Sequence, residues 1–169
     1  MSIATTLLPE FDHEMAGIRK VLERIPADRF DFKPHPKSFS IGHLASHLAT
    51  VPAWASSTMT TTELDFGSPE LKASMPKPAT SPLEALALFD EGVVKARDLI
   101  ARAADGDFAV VWSGKSDGKT VFAMPRLAVL RTFILNHAIH HRGQLTVYLR
   151  LLDLPVPALY GPSADEGGM

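Results

Sequence analysis

Histidines are the residues of this chain whose spacing best suits chemistry. Five of the seven fall in two stretches with helical periodicity: His43 and His47 in one, and His137, His140 and His141 in the other. Residues four apart lie on one face of an α-helix with Cβ atoms about 6 Å apart, so two imidazoles can approach one ion. The pairs His43–His47 and His137–His141 have this spacing, which predicts a metal site with ligands from both helices.

Acidic residues are missing from both of these stretches, since residues 41–62 and 126–152 contain no Asp or Glu. A ferritin-type di-iron site needs several carboxylates and two Glu-x-x-His pairs. The chain has one such pair, Glu10 and His13, and it has neither a His-Glu-x-x-His pattern nor a cysteine. These observations favour a mononuclear site of three neutral imidazoles, with open positions for water or substrate.

The alternative interpretation is that these imidazoles are ordinary helix side chains, either solvated or hydrogen-bonded to the backbone. However, His47 lies between Leu44 and Leu48, and His141 shares its helix with Leu145, so both histidines are expected on apolar faces. Several unpaired imidazoles in a core would be costly. We therefore prefer a bound metal ion.

The composition is typical of one globular domain, which we expect over residues 1–169. Of these residues 46% are hydrophobic and 21% are charged. The formal net charge of -2 argues against a nucleic-acid partner. The N-terminus has no basic residue before its apolar run, and no apolar stretch reaches the roughly 20 residues of a membrane helix. We expect a cytoplasmic protein without a membrane segment.

Hydrophobic periodicity predicts two helices in the first third of the chain. The first covers residues 3–25 and ends at Pro26. The second begins after Ser40, which can serve as its N-cap. Proline lacks a backbone donor, so this helix either ends just before Pro52 or bends there and continues towards Met59.

The rest of the chain contains two further predicted helices and a hairpin. Ser81 is the predicted N-cap of the third helix, with Glu84 as the reciprocal capping carboxylate. The runs FAVVW and TVFAM flank SGKSDGK as strands flank a turn, and the last helix extends from Pro125 to Pro155. With residues 60–80 as a connection without elements of its own, we expect an all-α fold. It would be a four-helix bundle with a long crossover connection and a short β-hairpin insertion before the last helix.

Three segments of the chain carry a resemblance to a known family: residues 38–48 with Trp54, residues 136–144 and residues 157–166. Together they resemble the DinB-like family, the DinB/YfiT-like metalloenzymes. The resemblance implies a four-helix bundle with a crossover and a divalent metal centre of three histidines, one from the second helix and two from the fourth. In this chain the implied metal ligands are His47, His137 and His141.

The chemistry expected of such a centre follows from its charge. Three neutral imidazoles leave a divalent ion its full positive charge, so bound water becomes more acidic and a bound thiol becomes a thiolate. The resemblance is compatible with a thiol-dependent S-transferase or a hydrolase acting on a small molecule, the co-substrate being a low-molecular-weight thiol in the first case. We expect one divalent ion, nickel or zinc in first place, with manganese or iron as alternatives.

The alternative function is a non-catalytic, metal-stabilised helical bundle that serves as a stress-response or binding module. A pocket beside the metal with room for a substrate would favour the enzyme. A sealed site with a fourth protein ligand would favour the structural role.

Four further residues admit two interpretations each, and a fifth histidine lies beside the candidate ligands. His43 could act beside the metal site or be solvated at the start of its helix, and His140 lies off the face of its neighbouring histidines. Gln144 could hydrogen-bond a ligand or pack as an ordinary helix amide. Trp54 and Tyr160 could line a pocket or belong to the core.

Charged residues towards the end of the chain are expected on the surface. Arg142 and Arg150 are most simply interpreted as surface charges, and Asp165 and Glu166 as part of a solvated terminus. We rank both pairs below the histidines as site candidates.

A homodimer formed through helix faces is the predicted assembly, because the resemblance implies it and all four helices are rich in apolar residues. Light scattering at micromolar concentration should therefore give the mass of two chains. The mass of a single chain would contradict this prediction.

Overall fold

Four long helical segments make up most of the protein. The computed structural model describes residues 2–167, so residues 1, 168 and 169 of the expected domain lie outside the described residues. The long segments are α1 (Ile3–Glu23), α2 (Ile41–Thr60), α4 (Pro82–Arg102) and a final stretch of α6 (Arg126–Val129), a π-helix (Leu130–Asn136) and α7 (His137–Leu151). The shorter elements are a 3-10 helix (Ala27–Arg29), α3 (Pro69–Ser74), α5 (Asp105–Ala109), β1 (Glu63–Asp65), β2 (Val111–Ser116) and β3 (Lys119–Pro125).

The long helices bury their apolar faces against one another. Helix α4 packs against α1 and α2, and both α1 and α2 also contact α7. The core between them contains the fully buried side chains of Phe11, Ile18, Leu48, Phe89 and Ile134. Two neighbouring helices, α2 and α7, carry the histidine-containing stretches, so this packing brings those stretches together.

Serine caps begin α2 and α4, as predicted. Ser40 Oγ accepts a hydrogen bond from the backbone N–H of His43 at 3.1 Å, and Ser81 Oγ accepts one from Glu84 at 3.2 Å. The Glu84 carboxylate does not accept the backbone N–H of Ser81, however. It accepts the backbone N–H of Thr80 at 2.7 Å, one residue earlier than predicted.

Helix α2 continues through Pro52 and ends at Thr60, so the longer of the two predicted forms is the observed one. Opposite the proline, α4 carries Gly92. A Cβ at Gly92 would lie 3.2 Å from Pro52 Cβ, tighter than ordinary van der Waals contact. The absence of a side chain there lets the two helices approach closely where α2 lacks a backbone donor.

A three-stranded sheet accompanies the helices, so the fold is mostly helical and not purely all-α. The predicted hairpin is present as β2 and β3, which are antiparallel, with Asp117 and Gly118 at positive φ in the turn. The expectation that residues 60–80 hold no element is wrong, because they contain α3 and also β1, which pairs in parallel with β2. Asp65 fixes this pairing by accepting the backbone N–H groups of Asp117 and Gly118 at 3.0 and 2.7 Å.

Arg142 is buried and not the surface charge that was expected. Its side chain is 3% exposed and its Nη1 lies 2.8 Å from a carboxylate oxygen of Glu14, which is itself 7% exposed. Arg142 Nη2 also donates to the Tyr160 hydroxyl at 2.6 Å, and that hydroxyl donates to Glu14. The buried ion pair thus joins α7 to α1, and the Tyr160 hydroxyl attaches the segment after α7 to the same pair.

The acidic residues near the end of the chain are likewise engaged in contacts and not simply solvated. Asp165 accepts a hydrogen bond from Arg150 at 2.5 Å and from the backbone of Val156 at 2.9 Å. Glu166 forms an ion pair with Arg24, the C-cap residue of α1. Among residues 2–167, no helix has both the length and the apolar character of a membrane span.

Replacing Glu14 by alanine should destabilise the fold strongly, because it leaves the Arg142 guanidinium buried without its carboxylate. We expect a loss of about 3 kcal/mol in the free energy of unfolding, measured by urea denaturation at neutral pH. The matched control is Asp90→Ala, which breaks the exposed Arg19–Asp90 pair and should cost less than about 1 kcal/mol. Similar losses in the two variants would contradict the role of the buried pair.

Candidate metal centre

Three histidines converge between α2 and α7. His47 comes from the middle of α2, His137 is the first residue of α7, and His141 follows one turn later. Their candidate ligand nitrogens all lie within 4.8 Å of one another, and the Nε2 atoms of His47 and His137 are 2.7 Å apart. The structure therefore brings together the three side chains that the sequence singled out.

The three rings meet edge to face and do not stack. The His47 ring is inclined by 61° to the His137 ring and by 88° to the His141 ring, with centroids 5.0 and 4.6 Å away. This arrangement directs ring edges, where the nitrogens lie, into the space between the helices.

Burial favours the neutral form of all three imidazoles. The pKa of His47 is lowered from 6.5 to about 4, first by loss of solvent and then by the proximity of His141 and His137. Burial also lowers the pKa of His137, with His141 and His140 adding to the effect. It lowers the pKa of His141 as well, although the hydrogen bond to Gln144 opposes that shift. Neutral imidazole is the form that binds a metal ion.

Gln144 orients His141. The Nδ1 atom of His141 lies 2.8 Å from Gln144 Oε1. A carbonyl oxygen only accepts hydrogen bonds, so Nδ1 carries the proton and the lone pair is left on Nε2. Of the two roles considered for Gln144, the structure thus shows the hydrogen bond to a candidate ligand, which is the usual way in which a metal-binding imidazole is held in position.

The donor set fits a mononuclear divalent ion. Three neutral imidazoles from two helices match the protein ligands of an open zinc-type site, and two ligands of a tetrahedral ion lie about 3.3 Å apart. One separation in the group is 2.7 Å and none exceeds 4.8 Å, so the nitrogens lie near the spacing that one ion needs. Within residues 2–167 the group contains no carboxylate and no fourth member.

A cavity of about 490 Å³ adjoins this group. Trp54 borders both: its ring lies 5.4 Å from the His47 ring and 5.6 Å from the His137 ring, and it lines the cavity. Of the two interpretations of Trp54, the structure shows the pocket wall, and the ring also packs against the core. Residues of the 60–80 segment, such as Phe66 and Met75, also line the cavity, and sequence reasoning missed them because no periodicity marks that segment.

The other candidates lie outside the group. His43 is exposed and stacks on Phe39 with ring centroids 4.1 Å apart, in keeping with a solvated position at the start of its helix. His140 is exposed, and its ring lies 4.9 Å from that of His141 without joining the group. Tyr160 contacts Glu14 and Arg142 and does not line the cavity.

Comparison with known proteins agrees with this fold. The sequence profile of the DinB family matches residues 1–167. The chain belongs to the DinB family. Among curated proteins it is similar to the uncharacterized protein YrdA of Bacillus subtilis, with 46% identity over 43 residues. That segment is 25% of this chain and spans only 25% of the relative.

Three solved structures share the fold of this DinB family chain. A DinB-like protein of Bacillus cereus has a TM-score of 0.67 at 21% identity, covering 90% of this chain and 95% of its own. The DinB-like protein YjoA of Bacillus subtilis has a TM-score of 0.69 at 18% identity, covering 89% and 96%. A DinB family protein of Exiguobacterium sibiricum has a TM-score of 0.65 at 20% identity, covering 90% and 94%. At these identities the likeness concerns the fold.

The stability of this DinB family protein, measured with a chelator present, should fall as the pH falls from about 6.5 towards 4. The pKa of His47 is about 4 in the folded chain and 6.5 ordinarily. Between these pH values His47 is protonated in the unfolded chain and neutral in the folded chain, so acid favours unfolding. Above pH 6.5 this histidine makes no pH-dependent contribution.

Urea denaturation of wild type and His47→Gln at several pH values measures this effect. The stability of wild type relative to His47→Gln should decline on acidification through this range. His43→Gln, which changes an exposed imidazole one turn away, is the matched control for loss of a histidine on α2. A constant difference between wild type and His47→Gln across the range would contradict the prediction.

Proposed function

We propose that this protein binds one divalent metal ion through His47, His137 and His141 and acts as a metal-dependent enzyme on a small molecule. The observation that carries the proposal is a group of three neutral imidazoles, with ligand atoms within 4.8 Å, next to a cavity large enough for a ligand. The reaction class is that of a thiol-dependent S-transferase or a hydrolase. The helical arrangement proposed with it is a four-helix bundle whose crossover is the connection between α2 and α4.

The electrostatics of the group support a cation in its centre. The pKa of each imidazole is lowered, so protonation is an unfavourable way to satisfy the nitrogen lone pairs of the group. Gln144 fixes the His141 tautomer with its Nε2 lone pair free. Nickel and zinc are the first choices because imidazole suits both, and manganese and iron follow.

The ion would supply Lewis acidity, which lowers the pKa of a water or thiol in an open coordination position. The chain's own residues supply the rest. His47, His137 and His141 would hold the ion, Gln144 keeps one of these rings in place, and the Trp54 ring packs beside two of them.

The catalytic interpretation is favoured over the non-catalytic module by two features of the described chain. The histidine group has three members and not four, which leaves a coordination position for a substrate. The adjoining cavity gives that substrate a place to bind. Both features are those that distinguish a catalytic metal site from a sealed structural one.

His141→Ala should lose most of the affinity for zinc or nickel, whereas His140→Ala should retain it. The two histidines are neighbours in sequence, but only His141 belongs to the convergent group. Isothermal titration of the metal into chelator-treated protein measures the difference. Wild type and His140→Ala should take up about one ion per chain, because three imidazoles can converge on only one centre.

Equal loss of affinity in the two variants would contradict this assignment of ligands. A folded wild-type protein that takes up neither zinc nor nickel would contradict the proposed metal centre itself. A thiol-transfer assay with a low-molecular-weight thiol and an aryl halide, run with loaded and stripped protein, then tests the S-transferase activity. Ester hydrolysis by the loaded protein would assign the hydrolase activity in its place.

A further inference from the structure

The wall of the cavity beside the histidine group is a continuous set of aromatic rings. The Phe122 ring lies 5.9 Å from Trp112, 6.5 Å from Phe66 and 4.6 Å from Phe133, measured between centroids. Trp54 completes the lining on the side of the histidines. Within the described part of the chain, none of the lining residues carries a charge.

Several polar groups on this wall are already engaged with the protein. The Trp112 indole N–H donates to Thr61 Oγ1 at 3.1 Å. The hydroxyls of Thr50 and Thr58 donate to backbone carbonyls one helical turn earlier, those of His47 and Trp54, at 2.8 and 2.9 Å. These groups therefore offer little to a charged or strongly polar ligand, which would lose its hydration without replacement on entering the cavity.

The cavity lies one helical turn away from the histidines on both helices. On α2, Thr50 follows His47 by three residues and lines the cavity. On the final helical stretch, Phe133 precedes His137 by four residues and also lines it. The three histidines do not line the cavity themselves, and Trp54 borders both, so a ligand that extends from the aromatic wall to the histidine group would pass the Trp54 ring.

The connection between α2 and α4 covers the cavity. Leu71 of α3, together with Met75 and Pro76 after it, contributes to the lining, while α3 itself has no buried residue. The volume of about 490 Å³ falls within the range of small-molecule sites, which are concave and mostly apolar with few polar groups. The size and the lining both match a small organic molecule.

We propose that this cavity binds an uncharged aromatic or branched aliphatic group of the substrate, with the polar, reacting end of the same molecule at the three-histidine group. The proposal rests on the proposed metal-dependent function and adds the class of substrate. Aromatic side chains contribute affinity for such a group through both burial and ring-ring contact.

The two tryptophans of the chain allow a direct test, because Trp54 and Trp112 both line the cavity. The uncharged probe N-phenyl-1-naphthylamine, titrated into the full chain, should quench tryptophan emission and saturate at one probe per chain. Binding should occur in both stripped and metal-loaded protein, since the aromatic wall does not depend on the metal. Absence of saturable quenching would overturn the proposal.

Two variants and a matched control locate the probe. Phe133→Asp places a charge on the wall, and Ser57→Phe fills part of the cavity, so each should weaken probe binding by about tenfold or more. Phe39→Asp makes the same change at a Phe that is 50% exposed and lies outside the cavity, compared with 36% exposure for Phe133. It should bind the probe like wild type. Equal affinities for Phe133→Asp and Phe39→Asp would overturn the proposal.

A second experiment tests the connection to the histidine group. Cobalt(II)-loaded protein is titrated with 2-phenylethanethiol and with ethanethiol, and binding is followed by the visible absorption of the thiolate complex. The phenyl compound should bind about tenfold or more tightly, and Phe133→Asp should remove that advantage without changing ethanethiol binding. Equal affinities for the two thiols in wild type would overturn the proposal.

Failure of the proposed function gives a different result. A protein that takes up no cobalt contradicts the metal centre, whereas the probe titration still decides whether the cavity binds an apolar group. Conversely, a protein that takes up cobalt and binds the two thiols with equal affinity would support the metal centre and contradict the proposed class of substrate. The two proposals can thus be rejected separately.

Discussion

The need to satisfy three imidazoles in a partly buried space between two helices constrains the rest of the structure. Burial removes water from polar rings, which then require a partner for each nitrogen. His141 meets this requirement at Nδ1 through Gln144, and the Nε2 atoms of His47 and His137 face each other. Helices α2 and α7 must therefore pack in one register, and the buried Leu48 and Leu145 are among the side chains that hold them there.

The π-helix before α7 changes the rotation of α7 about its axis relative to the helical residues that precede it. Its hydrogen bonds join residues five apart, so it contains more residues per turn than an α-helix and changes the rotational phase of the residues after it. Phe133 and Ile134, within the π-helix, line the cavity, while His137 and His141, after it, belong to the histidine group. One helical stretch thus serves two adjacent surfaces of different chemistry, which is consistent with the frequent occurrence of π-turns at functional sites.

Sequence patterns could predict the features that depend on local spacing. The proximity of His137 and His141 follows from helical geometry, and the caps at Ser40 and Ser81 follow from residue type. The burial of Arg142 could not be predicted, because it depends on Glu14, which lies 128 residues away in the chain. The strand β1 was missed for a similar reason: its three residues form a strand only by pairing with β2. The role of the three histidines as metal ligands stays a prediction.

The cavity beside the histidine group depends on the continuation of α2 beyond Pro52. His47 lies before the proline, whereas Trp54, Ser57 and Thr58 lie after it and line the cavity. A helix that ended at the proline would keep the candidate ligand and lose that wall of the cavity. The lost backbone hydrogen bond destabilises the helix at this point. Packing of Pro52 against Gly92 of α4 offsets part of that cost, because a residue without Cβ lets the proline ring approach closely. The cavity wall formed by α2 after Pro52 therefore depends on the contact between Pro52 and Gly92, which lies on the opposite face of the same helix.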